Sequence, residues 1–147
     1  MVRFHATLSE RSVYLRYFCA MSLSTRVEHE RLVRICFPDY DQGMALVADR
    51  MDAGTGEHQI LGVGRFVGLR EQGEAEAAII VSDQWQGRGL GTELLRQVVQ
   101  VARQEGFTRL TGEILRDNLI TQILFKRVGF RLRLLDDGAT VRANLDL

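Results

Sequence analysis

The sequence predicts an α/β (α+β) protein built on a mixed, mostly antiparallel twisted sheet flanked by helices, and three observations lead there. Apolar runs at residues 44–48, 60–69 and 75–81 are separated by glycine- and charge-rich turns at residues 52–57 and 70–74, links short enough for an antiparallel meander. After Val81 the apolar period changes to that of a helix: Leu90, Leu94, Leu95, Val98, Val99, Val101 and Ala102 fall mostly on one stripe, closed by Gly106. Beyond it the pattern reads as a strand (107–114), a helix (118–128) stopped by Gly129, and a strand (130–135). Asp136-Asp137-Gly138 then turns into a last strand in which Ala139, Val141, Ala143, Leu145 and Leu147 alternate with polar residues.

Ahead of the meander, Thr7-Leu8-Ser9-Glu10 and Thr25-Arg26-Val27-Glu28 both match the capping box and predict two short helices within the first 36 residues. Pro38, the only proline, and Asp39 end that region. With 147 residues, 46% of them apolar and 26% charged, and no internal repeat or low-complexity linker, residues 1–147 read as a single domain. Nineteen basic and nineteen acidic side chains cancel, which leaves no net field to draw the whole molecule to nucleic acid or an anionic membrane. Cys19 and Cys36 are too far apart for a C-x-x-C pair and read as core thiols in a reducing compartment. There is no signal-peptide pattern and no apolar run of membrane-spanning length, so a soluble cytoplasmic protein is expected. His5, His29 and His58 have no metal-ligand spacing, and no metal is expected.

The chemistry concentrates in Gln86-Gly87-Arg88-Gly89-Leu90-Gly91. Glycines at alternate positions allow positive φ and leave backbone amides uncovered, and the helix starting near Leu90 adds its unpaired N–H groups and the positive end of its dipole. A pyrophosphate fits such a loop without a dedicated lysine. The same pattern also suits a turn that only packs a helix tightly on a sheet. A Rossmann site is a further alternative, because Glu113 ends the next strand about where a ribose-binding acid would stand. Its fingerprint departs here: five residues separate the strand from the first glycine, and the last glycine is one position early. A Walker loop is excluded, since no glycine-lysine-serine/threonine follows.

The run from Glu76-Ala77-Ala78-Ile79-Ile80-Val81 through Ser82-Asp83-Gln84-Trp85 to the loop resembles the coenzyme motif Q/R-x-x-G-x-G/A of the GCN5-related N-acetyltransferase (GNAT) superfamily. Asp117-Asn118 through Phe125-Lys126-Arg127-Val128-Gly129-Phe130 is similar to its second motif, an asparagine opening a helix that ends in Gly-Phe. The segments at residues 11–18, 39–41 and 45–48 resemble the acetyltransferase domains of bacterial protein-lysine acetyltransferases, so the likeness spans nearly the whole chain. It implies acetyl-CoA as cosubstrate. The backbone of Ile79, Ile80 and Val81 would pair with the pantetheine arm. Gly87, Arg88, Gly89, Leu90, Gly91 and Thr92 would hold the pyrophosphate after Gln86, in a cleft where two central strands part after Val81. Asn118 would bind from the second motif's side. The side chains of Ile79, Ile80 and Val81 would be those of a buried β-branched strand in either case. Arg88 either pairs with a coenzyme phosphate or faces solvent, and Trp85 either wedges the helix or stacks on adenine.

The reaction needs a neutral amine, and with a lysine pKa near 10.4 only roughly one amine in 2,500 is neutral at pH 7, a penalty of about 4.6 kcal/mol. Glu76, with Glu74 beside it in strand register, stands where many superfamily members carry a glutamate base; the competing reading is a solvated strand carboxylate. Where the superfamily often has a proton-donating tyrosine this chain has Phe125, which lines an acyl pocket and donates nothing. A thiol pKa near 8.5 makes CoA a fair leaving group regardless. Tyr14, Tyr17 and Tyr40 are other potential donors, with packing as their ordinary role.

The resemblance implies a protein lysine as acceptor. A small-molecule amine or amino acid is the alternative, and a non-catalytic CoA-sensing module a third to which Phe125 lends weight. Such domains usually begin with a strand and an Arg-Pro-rich entry, whereas Met1-Val2-Arg3-Phe4-His5 looks like the inside of the first helix. The first family strand is thus absent, which implies a fragment of a longer protein and an open sheet edge through which a homodimer would form.

Overall fold

The computed structural model describes residues 1–36, 43–69 and 73–147. The break at Pro38 and Asp39, Tyr40 and the first part of the turn after Leu69 lie outside the described residues. Six strands form one sheet in the order β1-β2-β3-β4-β6-β5. They are β1 (Gly43–Met51), β2 (His58–Gly68), β3 (Glu74–Val81), β4 (Arg109–Leu115), β5 (Arg131–Leu134) and β6 (Thr140–Asp146). Every pairing is antiparallel except β3 with β4. The predicted meander, the long helix and the closing hairpin are all present, the hairpin held by Asp137, whose carboxylate accepts from the N–H groups of Ala139 and Thr140 at 2.9 Å each.

Strand alternation divides the core between the two faces. On one face, α5 (Leu90–Gln104) and α6 (Leu119–Val128) bury Leu95, Val98, Ala102 and Phe125 against Phe66, Ala75, Ala77 and Leu110. On the other, α1 (Val2–Ala6) and α2 (Glu10–Tyr17) bury Phe4, Leu8 and Val13 against Val63, with Ile80 of β3 packed on them. Neighbouring residues of β3 therefore serve opposite layers.

The amino-terminal region differs from the sequence reading. It holds four helices, with α3 (Leu23–Arg26) and α4 (His29–Cys36) following α2. Ser9 caps α2 by accepting from the Ser12 N–H, and Ser22 caps α3 by accepting from the Thr25 N–H, both at 3.2 Å. The predicted caps fail for a local reason: Thr7 ends α1, its hydroxyl donating to the Phe4 carbonyl at 2.7 Å, and Thr25 lies inside α3. Serines two and three residues away offer the same oxygen to a better-placed N–H. Arg26 is buried and donates to the carbonyls of His5 and Leu8, which ties α3 to the first two helices. Among the described residues no strand precedes β1, and no helix is long and apolar enough to cross a membrane.

Candidate functional site

The site begins with an asymmetry in β3. Its β2 edge is paired from Ala75 to Val81, but its β4 edge is paired only at Glu74, Ala75 and Glu76, opposite Arg109, Leu110 and Thr111. The strands part after Glu76, not after Val81 as the sequence reading had it. Beyond that point β4 stays in register with β6 as far as Leu115, and the buried Phe125 ring crowds Gly112 so closely that a Cβ there would stand 2.8 Å from Cε1. The β4-facing groups of residues 77–81 are left without a ladder partner.

A cleft of about 840 Å³ opens along this edge. Glu76, Ile79, Ile80, Val81, Gln86, Gly87, Gly89, Gly91, Thr92, Asn118 and Phe125 all line it. Arg88 and Leu90 do not. Arg88 is exposed with its guanidinium 4.8 Å from the Trp85 ring centroid, and Arg50 lies 4.7 Å from the same ring. Leu90 is the first residue of α5 and half-buried. Trp85 is off the cleft too, held between the loop and these arginines.

Two of the loop's glycines are there for conformation and the third for space. Gly87 and Gly89 have φ of 71° and 85°, where an L side chain is strained. Gly91 sits within the first turn of α5, and a Cβ on it would lie 2.8 Å from Leu124 Cδ1 and 3.5 Å from Ile79 Cδ1. The expectation of alternating positive φ therefore holds for two positions, and at Gly91 helix-to-sheet packing decides. Gly89 caps α5 with no side-chain hydrogen bond, and none of the N–H groups of residues 87–92 donates to an acceptor among the described residues. Their charge side is positive and unspent.

Gln86 is turned inward as a brace. Its Nε2 donates to the Val81 carbonyl and to Ser12 Oγ, each at 3.1 Å. Asp83 accepts from the Ser9 N–H at 3.3 Å, so the loop is pinned to the start of α2. Asn118 caps α6, its Oδ1 accepting from the Thr121 N–H at 3.2 Å.

The two candidate carboxylates are separated by their partners. Glu74 is held 2.7 Å from Arg109 Nη1, whereas Glu76 is exposed and makes no ion pair among the described residues. Glu113 also reaches the cleft but is tied to Arg142 at 2.8 Å. With that acid engaged and the sheet mostly antiparallel, the Rossmann alternative falls.

Sequence reasoning missed the wall opposite the loop. Ser12, Arg16 and Tyr17 of α2 line the cleft, while Tyr14 stays outside it, 48% exposed. The Tyr17 ring lies 5.0 Å from the Arg16 guanidinium and 4.8 Å from that of Arg31. Burial lowers the Arg16 pKa, and Arg65 and Arg31 act in the same direction against Tyr17 and Glu76. The one available signal was the polar spacing Ser9, Ser12, Arg16 on one face of α2.

The sequence profile of the acetyltransferase (GNAT) family matches residues 14–130, a span that contains β3, the loop, α5 and α6. The chain belongs to this family. The GNAT fold is borne out across almost its full length by the GNAT domain of PAT from S. lividans, which superposes with a TM-score of 0.85 at 27% identity, covering 99% of this chain and 82% of that one. The spermidine N-acetyltransferase of Vibrio cholerae, solved with CoA and spermine, shares the fold with a TM-score of 0.74 at 17% identity, over 99% of this chain and 89% of that one. An acetyltransferase of Pseudomonas aeruginosa is 38% identical over 72 residues, which is 49% of this chain and 38% of that protein. The match thus spans well under half of that curated relative. In this GNAT chain Phe125 is 2% exposed, tilted against Phe130 at 4.7 Å between ring centroids, and it carries no proton to donate. Among the described residues no three His, Cys, Asp or Glu side chains gather as a metal site.

Proposed function

We propose that this chain, acting as one domain, transfers an acetyl group from acetyl-CoA to a primary amine, a protein lysine first among the acceptors. One observation carries the reading: the unpaired edge of residues 77–81, the free N–H groups of residues 87–92 and the unpaired carboxylate of Glu76 all open onto the same cleft. Family membership supports acyl transfer, and likeness to the S. lividans PAT domain supports a place beside bacterial protein-lysine acetyltransferases.

In this reading acetyl-CoA supplies a thioester carbonyl and a thiolate leaving group, and the chain's residues do the rest. The main chain of Ile79, Ile80 and Val81 holds the pantetheine arm, and the amides of Gly87, Gly89, Gly91 and Thr92 hold the pyrophosphate. Asn118 spends its Oδ1 on the helix cap, which leaves its Nδ2 to donate to the coenzyme. Gln86, on the cleft wall, also braces the loop through Val81 and Ser12. Glu76 accepts the proton that the amine loses as it attacks, and the thiolate departs with the electron pair of the broken C–S bond. Backbone N–H groups at the unpaired edge polarise the carbonyl. Strand-mediated dimerisation through the outer edge of β1 remains a proposal, and a molecular mass that stays monomeric at every concentration would sink it.

Calorimetry with acetyl-CoA and turnover assays on lysine peptides and on small amines test the reading. Tight binding with acetylated peptide product is the expected result. Absence of acetyl-CoA binding overturns it, small-amine turnover alone moves the acceptor, and binding without turnover of any acceptor makes the chain a CoA-sensing module.

A further inference from the structure

Arg16 lines the cleft, and Arg31 and Arg65 lie near enough to act on its charge; among the described residues no carboxylate is bonded to any of the three. Arg16 and Tyr17 come from α2, Arg31 from α4 and Arg65 from β2. Arg65 stands opposite Ala78 in the β2–β3 ladder, and Glu76 stands opposite Val67, so the two side chains are diagonal neighbours on one face of the sheet. Among the described residues none of the three guanidiniums makes a hydrogen bond or ion pair, and the Arg31 Nε is buried without a partner. Several arginines elsewhere are answered: Arg3 by Glu57, Arg109 by Glu74 and Asp146, Arg131 by Asp146, Arg142 by Glu113, and Arg26 by two carbonyls. Each of the three is half-buried, where a cation without an anion is unfavourable. The Tyr17 ring offers attraction to two of them but no counter-charge.

Within this cluster Arg65 stands beside Glu76, at the end of β3 away from the glycine loop. Glu76 and Val81 are five strand residues apart, roughly 16 Å, and the glycine loop lies beyond Val81. Arg16 shares the cleft lining with Glu76, where the attacking amine must arrive, and Arg65 is the diagonal neighbour of Glu76. A polyamine brought there would add positive charge to three existing charges. An acceptor carrying its own carboxylate would supply the missing anion, and a planar guanidinium fork matches a carboxylate in geometry.

We propose that the acceptor bears a carboxylate close to its reacting amine, held by Arg16 and Arg65 beside Tyr17 while the amine faces Glu76. The proposal rests on the acetyltransferase reading above. Its shared chemistry has two sources, an acidic side chain next to a protein lysine or the carboxylate of a free amino acid.

The test uses capped peptides that differ only in Lys-Glu against Lys-Gln, and an amino acid against its amide, with spermidine as a cationic comparison. The preference, read as kcat/KM, should be tenfold or more for the carboxylate member of the pair that is the true source, with spermidine the poorest. Arg65→Gln should reduce that preference below twofold and Arg65→Lys should restore part of it, while an acetyl-CoA titration checks that both variants fold. Preference should also shrink in high salt. Calorimetry with matched peptides carrying norleucine for lysine reads the same contact without chemistry, and the Glu peptide should bind at least fivefold tighter than the Gln peptide. Equal kcat/KM and equal affinity within every pair, or a preference that survives Arg65→Gln, overturns the proposal. Failure of acetyl-CoA to bind would instead remove the acetyltransferase reading, and the norleucine peptides would still decide whether the wall binds a carboxylate.

Discussion

The glycine-loop wall of the cleft offers backbone N–H groups from one contiguous stretch, residues 87–92, whereas the α2 wall offers side chains of α2 and β3, with Arg31 of α4 and Arg65 of β2 near them. The loop wall depends on φ angles at Gly87 and Gly89 and on the absence of a side chain at Gly91. The α2 wall depends on charge: Glu76 is the carboxylate that Arg16 feels, against Arg65 and Arg31. A backbone site binds any suitable anion and selects little; a wall of charged side chains discriminates between acceptors. At an effective dielectric constant of about 20, a cation roughly 5 Å from one arginine meets about 3 kcal/mol of repulsion, enough to choose between acceptor classes.

Substitutions that act on one wall alone sharpen this contrast, and the largest effect is expected at Glu76. Glu76→Gln should lower kcat by about 10²-fold or more with the KM for acetyl-CoA within about twofold, because the base serves the amine and not the coenzyme. Unchanged turnover with a good acceptor would strip that wall of its catalytic role. Phe125 stands between the walls, and Phe125→Ala should destabilise the fold by about 3–5 kcal/mol in urea titrations through the cavity left beside Gly112 and Phe130. Loss of activity without loss of stability would show that the ring acts on the acyl group and not on the parting strands.

Beneath the α2 wall, His5 is 1% exposed, with both ring nitrogens unpartnered, and its pKa is pushed down to about 4 by burial first and then by Arg26 and Arg31. The unfolded chain takes up this proton near pH 6.5 and the folded chain refuses it until about pH 4, so stability should fall as pH drops through that window, by about 1–3 kcal/mol. His5→Leu should flatten the slope of urea stability between pH 6.5 and 4, and an unchanged slope would assign the acid sensitivity elsewhere. The loop wall gives the smallest effect. Gly89→Ala forces alanine to φ 85° and should weaken acetyl-CoA binding about tenfold, from a strain of about 1–2 kcal/mol. Gly138→Ala carries a similar strain at φ 65° in the β5–β6 hairpin, and should lower stability while leaving the coenzyme affinity alone. Equal affinity losses in both would mean that strain, not amide geometry, is being read.

How far the sequence sufficed follows from the range of the forces involved. Strands β1 to β6 and helices α5 and α6 were legible because alternation and helical spacing are local signals that burial on one face reinforces. The loop was legible for the same reason, since an anion site made of consecutive amides is written in consecutive residues. The helix caps at Ser9 and Ser22 were misjudged because several nearby serines and threonines offer the same oxygen, and only packing selects among them. The parting of β3 from β4 after Glu76 was misplaced because it depends on β6 holding β4 and on Phe125 filling the space beside Gly112. What the sequence alone determined, then, is the order of elements from β1 onward, the glycine loop and the position of Glu76 on β3. Only the tertiary structure decided that the Gln86 amide reaches Val81 and Ser12, that Arg88 lies off the cleft, and that Arg31 and Arg65 come near Arg16. Those outcomes are contacts between residues distant in the chain, and no local spacing encodes which charges a fold will bring together without a partner.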